Sequence, residues 1–197
     1  MRAATRREFV AGPAGRIECA VDRPESAPRG AALIAHPHPL YGGTLDNKVV
    51  QTLARAFLEL GYETWRPNFR GVGQTEGVHD EGRGELEDLE VVLRNTSATR
   101  FVLAGFSFGA AVQARLAQRM PPERLVLVGV GVTRLEAPPV PAGTLVIHGE
   151  NDDTVPLAAV LEWARPQDLP VILVPGADHF FHHKLHVLRT ILTSNWK

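Results

Sequence analysis

Cysteine is almost missing from these 197 residues: Cys19 stands alone. A single thiol excludes an internal disulfide and any thiolate cluster for zinc or iron–sulfur, and makes a reducing cytoplasm the expected compartment. Excess charge of either sign is lacking too, the formal net charge being −1 at pH 7. No basic field is available to neutralise nucleic-acid phosphates or anionic lipid, so neither nucleic acid nor a membrane is an expected partner. Long hydrophobic runs are absent, which rules out a bilayer-spanning helix. The charged opening Met1-Arg-Ala-Ala-Thr-Arg-Arg7 is followed by Phe9-Val-Ala-Gly-Pro13, which breaks before the apolar core of a signal peptide can form.

What is present is an ordinary globular composition, 44% hydrophobic and 22% charged. One domain over residues 1–197 is the expectation at this length. Residues 7–22 read as two short strands around the turn Gly12-Pro-Ala-Gly15, an antiparallel edge. The uninterrupted apolar run Ala31–Ala35 suits a strand covered on both faces. From Asn47 to Leu60 apolar residues recur at helical spacing, and Gly61 supplies a stop.

The alternation then repeats. Strands are expected at Glu63–Pro67, Phe101–Gly105, Arg124–Val130, Thr144–His148 and Val171–Val174. Helices are expected at Gly84–Asn95, Ala110–Arg119, Leu157–Ala164 and from about Phe181 to Ser194. Strand followed by helix, over and over, implies right-handed βαβ crossovers: a doubly wound, mostly parallel sheet with helices on both faces. Glu136-Ala-Pro-Pro-Val-Pro-Ala-Gly143 is too short and too rich in breakers to hold an inserted cap.

Gly105-Phe-Ser107-Phe-Gly109 follows an apolar strand and runs straight into a helix, the setting of a nucleophile elbow. There a serine is thrust out on a sharp turn, and a glycine two residues to each side avoids clashes. Two later strand ends supply partners in the order serine, acid, histidine. The first is His148-Gly-Glu-Asn-Asp152-Asp-Thr-Val-Pro156, where Asp152 or Asp153 could face the site. Asp153 could instead cap the helix beginning near Val155, and Glu150 reads as a solvated loop charge. The second is Pro175-Gly-Ala-Asp-His179, whose imidazole can take a serine proton near neutrality while an aspartate fixes its tautomer.

An oxyanion needs two N–H donors. Phe108, directly after the serine, is one. The loop His36-Pro-His-Pro-Leu-Tyr-Gly-Gly43 supplies the other, and because Pro37 and Pro39 have no N–H, His38 or Leu40 is left, with His38 favoured. Among the remaining histidines, His36 and His38 could form an H-x-H metal motif, but further ligands are missing from that loop. His182 and His186 stand four apart on the expected last helix without a third ligand, so they and His183 read as a solvated face. His148 reads as a packed, hydrogen-bonded residue, and His79 as a polar-loop residue without a partner. No metal and no cofactor is expected. The glycines of Asn68-Phe-Arg-Gly-Val-Gly-Gln-Thr-Glu-Gly77 have the wrong spacing for nucleotide phosphate and read as a tight turn that Arg70 ties down.

These segments together resemble the α/β-hydrolase superfamily over nearly the whole chain. More narrowly, the loop H-P-H-P-L-Y-G-G at His36, D-N-K-V-V at Asp46, N-F-R-G-V-G at Asn68, G-x-S-x-G at Gly105, H-G-x-x-D at His148 and G-A-D-H-F-F at Gly176 are similar to small, capless bacterial serine hydrolases. The resemblance implies Ser107 as nucleophile, Asp152 as acid, His179 as base and a backbone hole near His38 and Phe108. A serine nucleophile argues against dehalogenases and epoxide hydrolases, which use aspartate, and against dienelactone hydrolase proper, which uses cysteine. The expectation is hydrolysis of accessible carboxylic esters or thioesters in an open, shallow pocket, with amides or peptides as alternatives on the same triad. A non-catalytic protein binding ligands on the same surface is the alternative from another class.

Overall fold

The computed structural model describes residues 5–196; the opening residues 1–4, read above as no part of a signal peptide, lie outside the described residues. The chain opens with a hairpin of β1 (Arg6–Gly12) and β2 (Gly15–Asp22), followed by β3 (Ala31–Ala35), α1 (Lys48–Glu59) and β4 (Glu63–Pro67). Next come α2 (Arg83–Asn95), β5 (Phe101–Phe106), α3 (Phe108–Arg119), β6 (Arg124–Val128), β7 (Leu145–Gly149), α4 (Leu157–Ala164), β8 (Val171–Val174) and α5 (Leu185–Ser194). They form one eight-stranded sheet in the order β1-β2-β4-β3-β5-β6-β7-β8. β1 pairs antiparallel with β2, and β2 with β4, whereas every pairing from β4 through β8 is parallel.

Period-two alternation along the central strands divides the interior into two cores. In β3, Ala31, Leu33 and Ala35 face α2, α3 and α4, while Ala32 and Ile34 face α1 and α5. Burial on both faces explains why the strand is apolar without a polar break. α1 starts where the Asn47 side chain accepts from the N–H groups of Val49 and Val50, and stops at Gly61, whose φ of +87° costs a glycine little. No helix forms between β6 and β7, so the proline-rich segment crosses that side of the molecule without building a lid.

Several expectations shift. β6 stops at Val128, because Gly129 turns to φ +51° and directs the chain toward the site. α3 begins at Phe108 rather than Ala110, directly after the serine. The last helix begins at Leu185 rather than Phe181, since Phe181 and His183 both have positive φ and the chain before Lys184 is a series of turns. One of these turns closes on Asp178, whose carboxylate accepts the N–H of His182, and full burial of Phe181 in the α1–α5 core anchors it. His182 and His186 therefore do not share a helix, and His182 pairs with Asp178 at 2.6 Å instead.

Candidate active site

The carboxyl ends of β3, β5, β6, β7 and β8 converge on one cavity of about 270 Å³, lined among others by His38, Tyr41, Ser107, Phe108, Arg134 and His179. A second cavity, of about 310 Å³, shares no lining residue with it and holds Arg66 already paired with Asp22 and Asp46.

Ser107 occupies the turn from β5 to α3 with φ +56° and ψ −119°, a backbone conformation costing a non-glycine residue about 1–3 kcal/mol. The two flanking glycines are required by contact. A Cβ on Gly105 would lie 2.5 Å from the Gly109 carbonyl oxygen, and one on Gly109 would lie closer still to that of His36. Although Ser107 stands at the N-cap position of α3, its hydroxyl caps nothing. It faces His179 Nε2 at 3.0 Å.

His179 Nδ1 lies 2.7 Å from Asp152 Oδ2. The other carboxylate oxygen accepts the N–H groups of Thr154 at 3.0 Å and Val155 at 2.7 Å, so the acid is fixed in orientation by the loop leaving β7. Burial by itself would raise the Asp152 pKa. The hydrogen bonds from His179 and from the Val155 N–H, with the nearby imidazoles His179 and His148, outweigh burial and hold it below the ordinary carboxylate value.

Of the neighbours weighed against Asp152, Asp153 does not cap α4. Pro156 is the N-cap there without a side-chain bond, and the turn before it is tied by Asp152 itself. Among the described residues the Asp153 carboxylate accepts only the Thr154 hydroxyl, at 3.3 Å. Glu150 is exposed and accepts the Gly176 N–H across the same rim. His148 is packed behind the acid as expected, its Nε2–H donating to the Val155 carbonyl at 3.0 Å.

The loop after β3 is held by His36. The Phe69 N–H donates to His36 Nε2 at 2.9 Å, which leaves the ring proton on Nδ1, from where it is donated to the Pro37 carbonyl at 2.6 Å. With both nitrogens engaged by backbone, His36 presents no free lone pair to a metal. Burial lowers its pKa to about 4, so the ring is neutral over the physiological range. In the same loop the Leu40 N–H donates to His38 Nδ1 at 3.3 Å. The backbone N–H groups of His38 and Phe108 donate to no protein group among the described residues.

Three residues of the site escaped the sequence reading. His79 is far from partnerless: its Nδ1 meets the buried carboxylate of Glu85 at 2.9 Å, and its ring packs 4.9 Å from His38 and 5.5 Å from Phe108. Tyr41 and Arg134 stand at the cavity rim, joined by a hydrogen bond of 3.1 Å from the guanidinium to the phenol oxygen. The only available signal was position, since Arg134 follows the end of β6 closely and such strand-end loops build sites in this architecture. Arg70 does tie down its loop, through two bonds to Asp88 of α2 at 2.7 and 2.8 Å.

A mostly parallel sheet with a strained serine at the end of its fifth strand defines a class, and the sequence comparison agrees with it: a family model described as alpha/beta hydrolase fold matches residues 40–142. The chain belongs to this α/β-hydrolase family, and its general activity is that of a hydrolase. Among solved structures it is similar to an alpha-beta serine hydrolase homologue from Coxiella burnetii, with 38% identity, TM-score 0.91 and 100% of both chains covered. It is also similar to an a/b serine hydrolase without lid from Xanthomonas campestris, with 35% identity, TM-score 0.90, and 99% of this chain and 94% of that one covered. A protein of Rickettsia prowazekii (strain Madrid E) is 32% identical over 89% of this chain and 82% of its own length.

Proposed function

We propose that the protein is a single-domain, capless serine esterase that hydrolyses small carboxylic esters or thioesters through Ser107, His179 and Asp152. The observation that carries this reading is the unbroken chain Ser107 Oγ to His179 Nε2 at 3.0 Å and His179 Nδ1 to Asp152 Oδ2 at 2.7 Å, opening onto the cavity. Two relatives described as serine hydrolases support it, one of them without a lid.

Ser107 Oγ attacks the acyl carbonyl while its proton passes to His179 Nε2; Asp152 keeps the imidazole in the tautomer that can receive it. The oxyanion is held by the N–H groups of Phe108 and His38, Leu40 being excluded as donor by its bond to His38 Nδ1. Collapse expels the alcohol or thiol, which takes the proton from His179. Water, deprotonated by the same imidazole, then attacks the acyl-enzyme, and the carboxylic acid leaves with Ser107 restored. A shallow cavity with no lid above it favours short or accessible acyl groups over long chains, for which little apolar wall exists. Cys19, buried with its thiol pKa pushed up to about 12, takes no part and suits a reducing cytoplasm.

Turnover of p-nitrophenyl esters from acetate to decanoate tests the reading. The expected result is hydrolysis favouring the short esters and falling by about 10⁴-fold or more in Ser107→Ala. A folded native protein that turns over none of them, or a Ser107→Ala variant with native rates, contradicts it.

A further inference from the structure

The cavity mouth carries one formal charge that the triad chemistry does not use. Arg134 leaves the loop after β6, its side chain exposed, and lines the same cavity as Ser107. Many arginines of this chain are spent on carboxylates, among them Arg70 on Asp88, Arg100 on Glu123 and Arg189 on Glu59. Arg134 has no carboxylate within ion-pair distance among the described residues. No aspartate or glutamate lines the cavity either. Asp152 is spent on His179 and the backbone of its own loop, and the acids whose charge reaches His38 in the cavity wall, Glu81 and Glu85, both lie against His79.

The guanidinium is nevertheless not a loose surface group. Tyr41, from the loop after β3, takes one N–H at its phenol oxygen at 3.1 Å, and the guanidinium carbon stands 4.8 Å from the centre of its ring. Two loops that meet over the serine therefore hold one cation between them, with most of its donors unspent. A held guanidinium without an ion-pair partner, in a concave mouth whose lining contains no acid, is complementary to a carboxylate, which it can grip with two parallel hydrogen bonds.

We infer that Arg134, held by Tyr41, is the specificity-determining residue of the site and that the preferred substrates are esters or thioesters carrying a free carboxylate. The inference rests on the ester-hydrolase reading above. The carboxylate belongs to either half of the ester, acyl or alcohol, and both sources present the same group to Arg134.

Two matched substrate pairs test it. The p-nitrophenyl monoester of glutaric acid against its methyl ester places or removes the charge on the acyl half, and 4-acetoxybenzoate against its methyl ester does so on the alcohol half. The readout is the ratio of kcat/KM for the acid to that for its neutral partner, which cancels effects on chemistry common to both. In at least one pair this ratio is expected to fall about 10- to 100-fold in Arg134→Gln. Arg134→Lys should keep part of it, Arg134→Glu should push it below the glutamine variant, and salt should weaken it in the native protein. The pair that responds identifies the half bearing the carboxylate. Turnover of these esters with ratios that do not move in Arg134→Gln overturns the inference alone and makes Arg134 a rim cation; absence of any turnover by the native protein overturns both readings.

Discussion

His36 and His179 are both almost fully buried in loops that follow strands of one sheet, yet their ring nitrogens meet partners of opposite kinds. The His36 ring spends one nitrogen on the Phe69 N–H and the other on the Pro37 carbonyl, so every partner is backbone and the ring has nowhere to send a proton. His179 spends its nitrogens on two side chains, the Asp152 carboxylate and the Ser107 hydroxyl, one of which can give up a proton. The difference teaches that burial of a histidine says little about its role, and that the chemistry of its two partners says most. A histidine between backbone groups is a brace, here clamping the loop after β3 to the end of β4; between an acid and a hydroxyl it is placed to carry a proton, the role proposed for His179.

The comparison breaks most sharply at His179. In His179→Gln, kcat/KM for p-nitrophenyl acetate should fall about 10⁴- to 10⁶-fold while the thermal midpoint moves little, because an amide can hydrogen-bond to Ser107 but cannot take its proton as an imidazole does. Substitution of the brace should do the reverse. His36→Ala leaves the Phe69 N–H and the Pro37 carbonyl unpaired around a void, and urea denaturation should record a loss of about 2–4 kcal/mol. Its esterase activity should fall less than in His179→Gln, through loosening of the His38 donor.

The most gradual effect is in pH. His36 has a folded pKa of about 4 against an ordinary value of 6.5, so between these limits the unfolded chain binds the proton and the folded one refuses it. Stability from this ring is fully present above pH 6.5 and is lost as pH falls, to a total of about 3 kcal/mol near pH 4. The buried His148, whose pKa is also lowered chiefly by burial, adds to the same slope. Denaturation curves across pH 4 to 7 should therefore flatten in His36→Gln, and an unchanged slope would remove His36 as its source.

The sequence made the elbow legible because its determinants are local: Gly105 and Gly109 flank Ser107 within one turn, and the contacts that forbid a Cβ there lie on adjacent segments. Strand and helix alternation likewise reported the order of elements, since burial on one or two faces is written directly into periodicity. Other features depend on how distant loops meet. Asp153 looked like a helix cap because spacing cannot distinguish two adjacent acids, whereas Asp152 ties the turn before α4 with one oxygen and meets His179 with the other. The contact of His79 with Glu85 forms across a loop and the first turn of α2. The late start of α5 follows from positive φ at Phe181 and His183, residues whose types gave no warning of it. Arg134 and Tyr41 come together only when the loops after β3 and β6 fold over the serine.

The central claim is that Ser107, activated by His179, forms the covalent intermediate. Mass spectrometry of the protein treated with a fluorophosphonate tests it most directly. One adduct per chain is expected, carried by the peptide containing Ser107 and strongly reduced in His179→Gln. Labelling that survives Ser107→Ala, or a folded native chain that takes up no label, would contradict it.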